Sequence, residues 1–95
     1  MTKPVIGIIG AGKLGMTLAK LGQNVGFRIN IAGSKEPDKI RLAVSVLAKG
    51  ATPMFVKDVI KSSDIIILAL PLSQYRQIVP DQLKGKLVID AMNYW

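Results

Sequence analysis

The sequence contains no cysteine and no histidine. Without cysteine the chain has no disulfide bond and no thiolate metal site, which is compatible with a cytoplasmic location. Without histidine it has no histidine general base, no serine–histidine–aspartate triad and no histidine-ligated metal. The chemistry of this chain must therefore come from other side chains, from the backbone or from a bound cofactor.

Aromatic residues make up only 5% of the chain, too few for a surface that stacks single-stranded nucleic acid. The net charge is +7, but the lysines and arginines are scattered and nowhere form a basic run. We therefore expect no nucleic-acid partner, and we interpret the charge as suited to a polyanionic cofactor. Salt-dependent binding to unrelated DNA sequences would favour the opposite interpretation.

Long hydrophobic runs are also missing. The strongest run, residues 65–72, has the length of a strand, whereas a membrane span needs about 20 apolar residues. We recognise no signal peptide, because glycines interrupt the apolar residues near the start. A length of 95 residues with 49% hydrophobic content indicates one folded domain, covering residues 1–95. We expect a cytoplasmic protein without membrane contact.

A glycine pattern, G-x-G-x-x-G, follows the first apolar stretch, Val5–Ile9, which we predict to be a strand. Gly10 allows the tight turn out of the strand. Gly12 has no Cβ, so the backbone can approach a pyrophosphate, and Gly15 lets the next helix pack close to the strand. That helix, predicted from Lys13 to about residue 21 and ended by a glycine, directs its free N–H groups at the phosphates.

The alternative interpretation is a glycine-rich connection that holds no ligand, because nine glycines produce such spacings by chance. The context favours a ligand, since the motif ends a strand and opens an amphipathic helix. In that helix Leu14, Leu18 and Leu21 recur at helical spacing, which predicts one buried face.

The end of the second predicted strand, residues 27–32, carries the next signal. An acidic residue commonly stands there in NAD-binding domains and accepts a hydrogen bond from the ribose 2′-hydroxyl. Here Ser34 and Lys35 occupy that place, and Lys39 follows one helical turn later. These side chains would donate hydrogen bonds and positive charge to a 2′-phosphate, which predicts NADP(H) rather than NAD(H). The alternative is that both lysines are ordinary surface residues.

Strands and helices alternate along the rest of the chain. We predict a helix from Pro37 to Gly50 whose buried stripe consists of Ile40, Ala43, Val44 and Leu47. We also predict strands at 51–55, 64–70 and 87–91, and helices at 57–62 and 73–79. This alternation predicts an α/β fold. The expected form is a Rossmann-like open parallel sheet of about five strands, in the order 3-2-1-4-5, with helices on both faces.

The loop after the fourth predicted strand should also meet the cofactor, because loops at the carboxyl ends of strands near the switch point line the ligand crevice. Leu70, Pro71 and Gln74 lie in this loop and should face the ribose and nicotinamide half. For Gln74 the alternative is a residue that only starts a helix.

Four stretches resemble the N-terminal domain of the NADP oxidoreductase family dependent on coenzyme F420. They are residues 6–15 (IGIIGAGKLG), 32–35 (AGSK), 68–71 (LALP) and 88–95 (VIDAMNYW). The resemblance runs over nearly the whole chain. It implies a Rossmann domain followed by a smaller C-terminal domain. It also implies hydride transfer between NADP(H) and a second cofactor or small-molecule substrate, namely the deazaflavin coenzyme F420 or a similar compound.

The resemblance further implies site residues in three groups: Ala11, Gly12, Lys13 and Leu14 for the pyrophosphate, Ser34, Lys35 and Lys39 for the 2′-phosphate, and Leu70 and Gln74 for the nicotinamide side. Lys35 departs from the family's frequent arginine, which keeps the charge but loses the planar fork. We expect the C-terminal domain, which shapes the second substrate's site and much of the homodimer, to be absent from these 95 residues.

No residue stands out as a catalytic acid or base. We expect Asp64 and Asp90, which adjoin predicted strands, to be structural. Hydride transfer between cofactors mainly requires positioning and electrostatics from the protein, so the missing histidine does not argue against it. The alternative function is a stand-alone module that binds or senses NADP(H) without catalysis of its own.

Overall fold

The computed structural model describes residues 3–33, 36–69 and 85–91. In these ranges strands and helices alternate along the chain. They are β1 (Val5–Ile9), α1 (Lys13–Asn24), β2 (Arg28–Ala32), α2 (Arg41–Leu47), β3 (Thr52–Pro53), α3 (Val56–Ser62), β4 (Ile65–Leu68) and β5 (Leu87–Asp90). A 3₁₀ turn, Pro37–Lys39, precedes α2. The helix predicted at residues 73–79 lies outside the described residues.

The five strands form one parallel sheet in the order β3-β2-β1-β4-β5, which confirms the predicted topology. Ile9, the last residue of β1, lies opposite both Ala32 of β2 and Leu68 of β4. The carboxyl ends of the three central strands are therefore level with one another. The strand order reverses at β1, and ligands bind outside the carboxyl ends of strands at such a switch point.

Helices cover both faces of the sheet, as predicted. Successive residues of a strand point to opposite faces, so Ile8 and Ile9 belong to different cores. The first core joins the sheet to α1 and α2 through Ile8, Met16, Ala19, Ile29, Ile31 and Val44. The second joins it to α3 through Ile9, Ala32, Val59, Ile60, Ile66 and Leu68. Each fully buried isoleucine stabilises the fold by roughly 1.5–3 kcal/mol relative to exposure.

The first helix is longer than predicted, and the predicted burial of Leu21 was wrong, since this side chain is 57% exposed. The helix continues past Gly22 to Asn24. Gly22 does not end the helix but allows close packing, since a Cβ at this position would lie 2.6 Å from Cδ1 of Ile29. The glycine that ends the helix is Gly26, which has a φ of +92° and donates its N–H to the carbonyl of Gln23 at 3.0 Å. A glycine in the left-handed conformation just beyond a helix is a common helix end.

The second helix is shorter than predicted, and its buried stripe differs. The 3₁₀ turn replaces the first predicted helical turn, and Leu47 is 54% exposed, so its placement in the stripe was wrong. Ala48 is buried instead and donates its N–H to the carbonyl of Val44 at 2.9 Å. The strands predicted at 51–55 and 64–70 exist but are shorter at both ends.

A polar pair is buried between the sheet and α3. The Asn30 side chain donates from Nδ2 to Oγ of Ser63 at 3.1 Å. Gly7 leaves room for this pair, since a Cβ there would lie 2.5 Å from Oγ of Ser63. The hydrogen bond satisfies both buried groups, which would otherwise be costly to remove from water.

Candidate functional site

The glycine turn lies where the sheet predicts a ligand site. Gly10 follows β1 with a φ of +125°, a conformation that side-chain-bearing residues rarely adopt. Its N–H donates to the carbonyl of Ala32 at 2.6 Å, while Ala69 donates its N–H to the carbonyl of Ile9 at 2.8 Å. These bonds hold the turn between the ends of β2 and β4.

Gly15 brings the first turn of α1 against this turn. A Cβ on Gly15 would overlap the carbonyl oxygen of Gly10 and would lie 3.5 Å from Cγ2 of Ile8. The close approach expected for this glycine is therefore present. Its nearest neighbour is the Gly10 carbonyl, and the strand side chain is further away.

Gly12 differs from both of these glycines. It occupies the N-cap position of α1 with a φ of −79°, and nothing lies within 4 Å of a Cβ built on it. Neither the backbone nor the packing thus requires glycine here, and the missing side chain leaves open space in front of the helix. The first N–H groups of a helix lack intrahelical partners. No side chain caps α1 and no acidic residue lies in its first turn, so this end suits an anion.

The other residues of the turn divide into two kinds. Ala11 and Leu14 are half-buried and pack against the core formed with α1 and α2, so they offer a ligand mainly their backbone. Lys13 is exposed and borders an open groove between α1 and α2 together with Lys20 and Lys49. The structure thus brings together the six predicted residues of the glycine turn, Gly10, Ala11, Gly12, Lys13, Leu14 and Gly15.

The segment after β2 lies directly against this turn. A Cβ built on buried Gly33 would be 3.4 Å from Cβ of Ala11 and 3.0 Å from Cγ2 of Ile40. Lys39, at the end of the 3₁₀ turn, is exposed and next to Ile40 in the chain. Ile40 was predicted only as a core residue, and its contact with Gly33 was missed because no spacing rule links the two.

Two carboxylates accompany the lysine on this segment. Asp38 forms an ion pair with Arg41, whose Nη2 lies 3.0 Å from Oδ1, and both side chains are exposed. Exposed pairs of this kind contribute about 0–1 kcal/mol to stability. Glu36 is also exposed. Ser34 and Lys35, predicted for the same site, lie outside the described residues, as do Leu70, Pro71 and Gln74.

Asp64 lies at the opposite edge of the sheet from the glycine turn. Its Oδ2 accepts the N–H of Val5 at 2.8 Å, and its own N–H donates to the Val5 carbonyl at 2.8 Å. These bonds join the beginnings of β1 and β4, which gives Asp64 a structural role. Among residues 3–33, 36–69 and 85–91, no group of three acidic side chains is placed to hold a metal ion. None of the helices in those ranges is long and apolar enough to cross a membrane.

Comparisons with known proteins agree with this geometry. Residues 5–94 match the family model described as NADP oxidoreductase, coenzyme F420-dependent. The fold is similar to that of the hypothetical protein SMa0349 from Sinorhizobium meliloti, with 30% identity and a TM-score of 0.77. That match covers 96% of this chain and 44% of the other.

Two imine reductases are also similar. The Myxococcus stipitatus enzyme, a V8 variant in complex with NAD+, is 28% identical with a TM-score of 0.71, and the match covers 92% of this chain and 31% of that one. The Bacillus cereus BAG3X2 enzyme is 22% identical with a TM-score of 0.72, covering 90% and 30%. This chain thus spans less than half the length of these proteins.

The parallel sheet, with its glycine turn at the switch point, defines a Rossmann-type fold of the dinucleotide-binding class. The family match over nearly the whole chain then identifies the group within that class. The chain belongs to the coenzyme F420-dependent NADP oxidoreductase family.

Proposed function

We propose that this chain is the NADP(H)-binding domain of an oxidoreductase. The observation that carries the proposal is the open space at Gly12, in front of the uncapped N-terminus of α1. A pyrophosphate placed there would accept hydrogen bonds from the free N–H groups of the helix and would meet its positive dipole end. The family match supports the same assignment.

We assign the pyrophosphate to the turn itself. Gly10 and Gly15 shape it, and the backbone from Ala11 to Leu14 donates to the phosphates. Lys13 adds a positive charge at the first position of the helix. The absence of an acidic residue from the first turn of α1 favours a doubly negative ligand at this end.

Ser34, Lys35 and Lys39 are assigned to the 2′-phosphate. Support comes from the residue types and from the contact of Gly33 with Ala11, which brings the start of this segment to the glycine turn. The competing cofactor is NAD(H), for which Glu36 and Asp38 are acceptors on the same segment. Asp38 is already paired with Arg41, which offsets its charge. This pairing favours NADP(H).

Leu70, Pro71 and Gln74 are assigned to the nicotinamide side, because they follow β4, the neighbour of β1 in the sheet. The nicotinamide, when bound, supplies the carbon that gives or accepts the hydride. The chain's own residues bind and orient it. Coenzyme F420 or a similar compound is the proposed partner in the transfer, with a C-terminal domain and a homodimer completing the site.

The alternative is a module that binds NADP(H) without catalysis. Such a module would need only the glycine turn and the residues assigned to the 2′-phosphate, and no site for a second substrate. Fusing the chain to the C-terminal domain of another family member, and mixing the fusion with reduced F420 and NADP+, distinguishes the two functions, because the proposed site needs that domain. Formation of NADPH supports the oxidoreductase, whereas binding without turnover supports the module.

Nuclear magnetic resonance tests the binding site. Titration of the ¹⁵N-labelled chain with NADPH should shift the amide signals of Gly12, Lys13 and Lys39. Signals from α3, on the other face of the sheet, should stay in place. Shifts confined to α3, or no shifts at millimolar NADPH, would contradict the proposal.

A further inference from the structure

We infer that Ile40 is a positioning residue for cofactor discrimination. Its side chain packs beside Gly33, which also neighbours Ala11 of the glycine turn, and thereby fixes the position of Lys39 relative to the pyrophosphate. The inference rests on the proposed function, because it concerns how the same site distinguishes NADPH from NADH.

Gly33 has a close neighbour on each side, Ile40 and Ala11. A Cβ at Gly33 would lie 3.0 Å from Cγ2 of Ile40 and 3.4 Å from Cβ of Ala11. Gly33 is buried and its φ is not among the positive ones, so its backbone conformation does not require glycine. The lack of a side chain instead lets Ile40 approach Gly33, the residue that follows β2 and neighbours the glycine turn. Ala11 and Ile40 both pack against the core formed with α1 and α2.

Lys39 moves with Ile40 because the local backbone is tied together. The N–H of Lys39 donates to the carbonyl of Glu36 at 3.0 Å, and that of Ile40 donates to the carbonyl of Pro37 at 3.1 Å. Ile40 in turn accepts the N–H of Val44 at 2.9 Å, which connects the 3₁₀ turn to α2. Any displacement of Ile40 is therefore passed to the lysine beside it.

A second apolar side chain, Val44, holds α2 against the core further along the chain. Val44 is 3% exposed and packs into the core, but it is not among the nearest neighbours of a side chain at Gly33. Loss of either apolar side chain should lower the stability of the fold. Only loss of Ile40 should release the 3₁₀ turn from Gly33, and through Gly33 from the glycine turn.

A displacement of Lys39 can be measured because the two cofactors differ in their dependence on it. A 2′-phosphate depends on charge-assisted hydrogen bonds, which require the donor at a defined distance. NADH has no such phosphate, so a shift of Lys39 should leave its affinity nearly unchanged. The ratio of the dissociation constants for NADH and NADPH therefore reports on the position of the segment. Overall stability changes both constants together.

Four variants of the full chain test the inference by calorimetric titration with each cofactor, with thermal unfolding measured in parallel. They are Ile40→Ala, Ile40→Val, Val44→Ala and Gly33→Ala. Ile40→Ala should raise the Kd for NADPH about tenfold and change the Kd for NADH by no more than about twofold. Ile40→Val retains a branched side chain at this position and should restore the wild-type ratio. Val44→Ala is the matched control and should lower Tm without changing the ratio.

A compensating pair sharpens the test. Gly33→Ala crowds Ile40 and should also lower the preference for NADPH. Combined with Ile40→Ala, the added methyl group occupies space that Cγ2 has left, so the double variant should recover part of the preference. Independent losses that simply multiply would contradict a direct contact.

The outcomes separate the inference from the proposed function. If the unmodified chain prefers NADPH and Ile40→Ala changes the ratio no more than Val44→Ala does, the inference is overturned and the proposed function stands. If the unmodified chain shows no preference for NADPH, the assignment of the 2′-phosphate fails, and the role of Ile40 fails with it.

Discussion

The backbone carbonyl of Gly10 occupies the space that a side chain on Gly15 would fill. A Cβ at Gly15 would lie 2.8 Å from the carbonyl carbon of Gly10 and would overlap its oxygen. The first turn of α1 therefore rests on the backbone of the turn that precedes it. Gly12, between them, has no neighbour within 4 Å of such a Cβ. The three glycines of one motif thus serve a left-handed turn at Gly10, open space at Gly12 and close packing at Gly15.

Replacement of Gly15 by alanine should destabilise the fold. The added methyl group must push α1 away from Gly10, and overpacking of this kind costs about 1–3 kcal/mol. Urea denaturation of the variant and of the wild type measures the difference. Gly12→Ala is the matched control and should cost under about 1 kcal/mol, since its side chain enters open space. Equal losses for the two variants would contradict the packing described for Gly15.

Replacement of Gly12 by valine should reduce cofactor binding and leave the stability of the fold nearly unchanged. The fold should remain, with a Tm close to that of the wild type, because nothing lies within 4 Å of a Cβ at this position. Binding of NADPH should fall by about 100-fold or more, equivalent to about 2.7 kcal/mol, since the side chain fills the space proposed for the pyrophosphate. Calorimetric titration measures the loss. Unchanged affinity would mean that the glycine turn is only structural.

Periodicity and glycine spacing were sufficient to predict the topology. The alternation of apolar strands and amphipathic helices predicted the strand order, and the position of the glycines predicted the turn after β1. These features follow from local rules, because a strand of five residues and the turn at its end can be recognised without knowledge of contacts between residues far apart in sequence. The boundaries of α1 and α2 depended on tertiary contacts. Gly22 packs on Ile29 and does not end its helix.

The candidate site was only partly accessible to the same reasoning. A motif marks the residues that touch a phosphate, but it does not show which neighbours hold the segment in place. The packing of Ile40 beside Gly33, and the pairing of Asp38 with Arg41, join residues whose spacing carries no recognised signal. Contacts of this kind arise from the path of the chain between elements.

Apolar replacements of Ser34 and Lys35 should weaken NADPH far more than NADH. The double variant Ser34→Ala and Lys35→Met removes a hydroxyl donor and a positive charge. Loss of a hydrogen bond to a charged group costs about 1.5–3 kcal/mol, or roughly one to two decades in Kd. Fluorescence titration with both cofactors measures the two constants. Lys57→Met, an exposed lysine on α3, is the control and should change neither. Equal losses for both cofactors would refute the 2′-phosphate assignment.

Replacement of Ser63 by alanine should destabilise the fold without altering the site. The variant leaves Nδ2 of Asn30 buried and without the acceptor that lies at 3.1 Å in the wild type. An unsatisfied buried donor costs about 1–3 kcal/mol, which thermal or urea unfolding detects. Ser45→Ala is the control, because that hydroxyl is exposed and donates to the carbonyl of Leu42. A loss no larger than the control's would show that the buried bond contributes little.

We propose that this domain binds NADP(H) and prefers it to NAD(H). Calorimetric titration of the purified 95-residue chain with NADPH and then with NADH, at low salt, tests it most directly. We expect saturable binding of NADPH with a Kd at least about tenfold lower than that for NADH, a difference of about 1.4 kcal/mol. Binding of neither cofactor, or equal binding of both, would contradict the account.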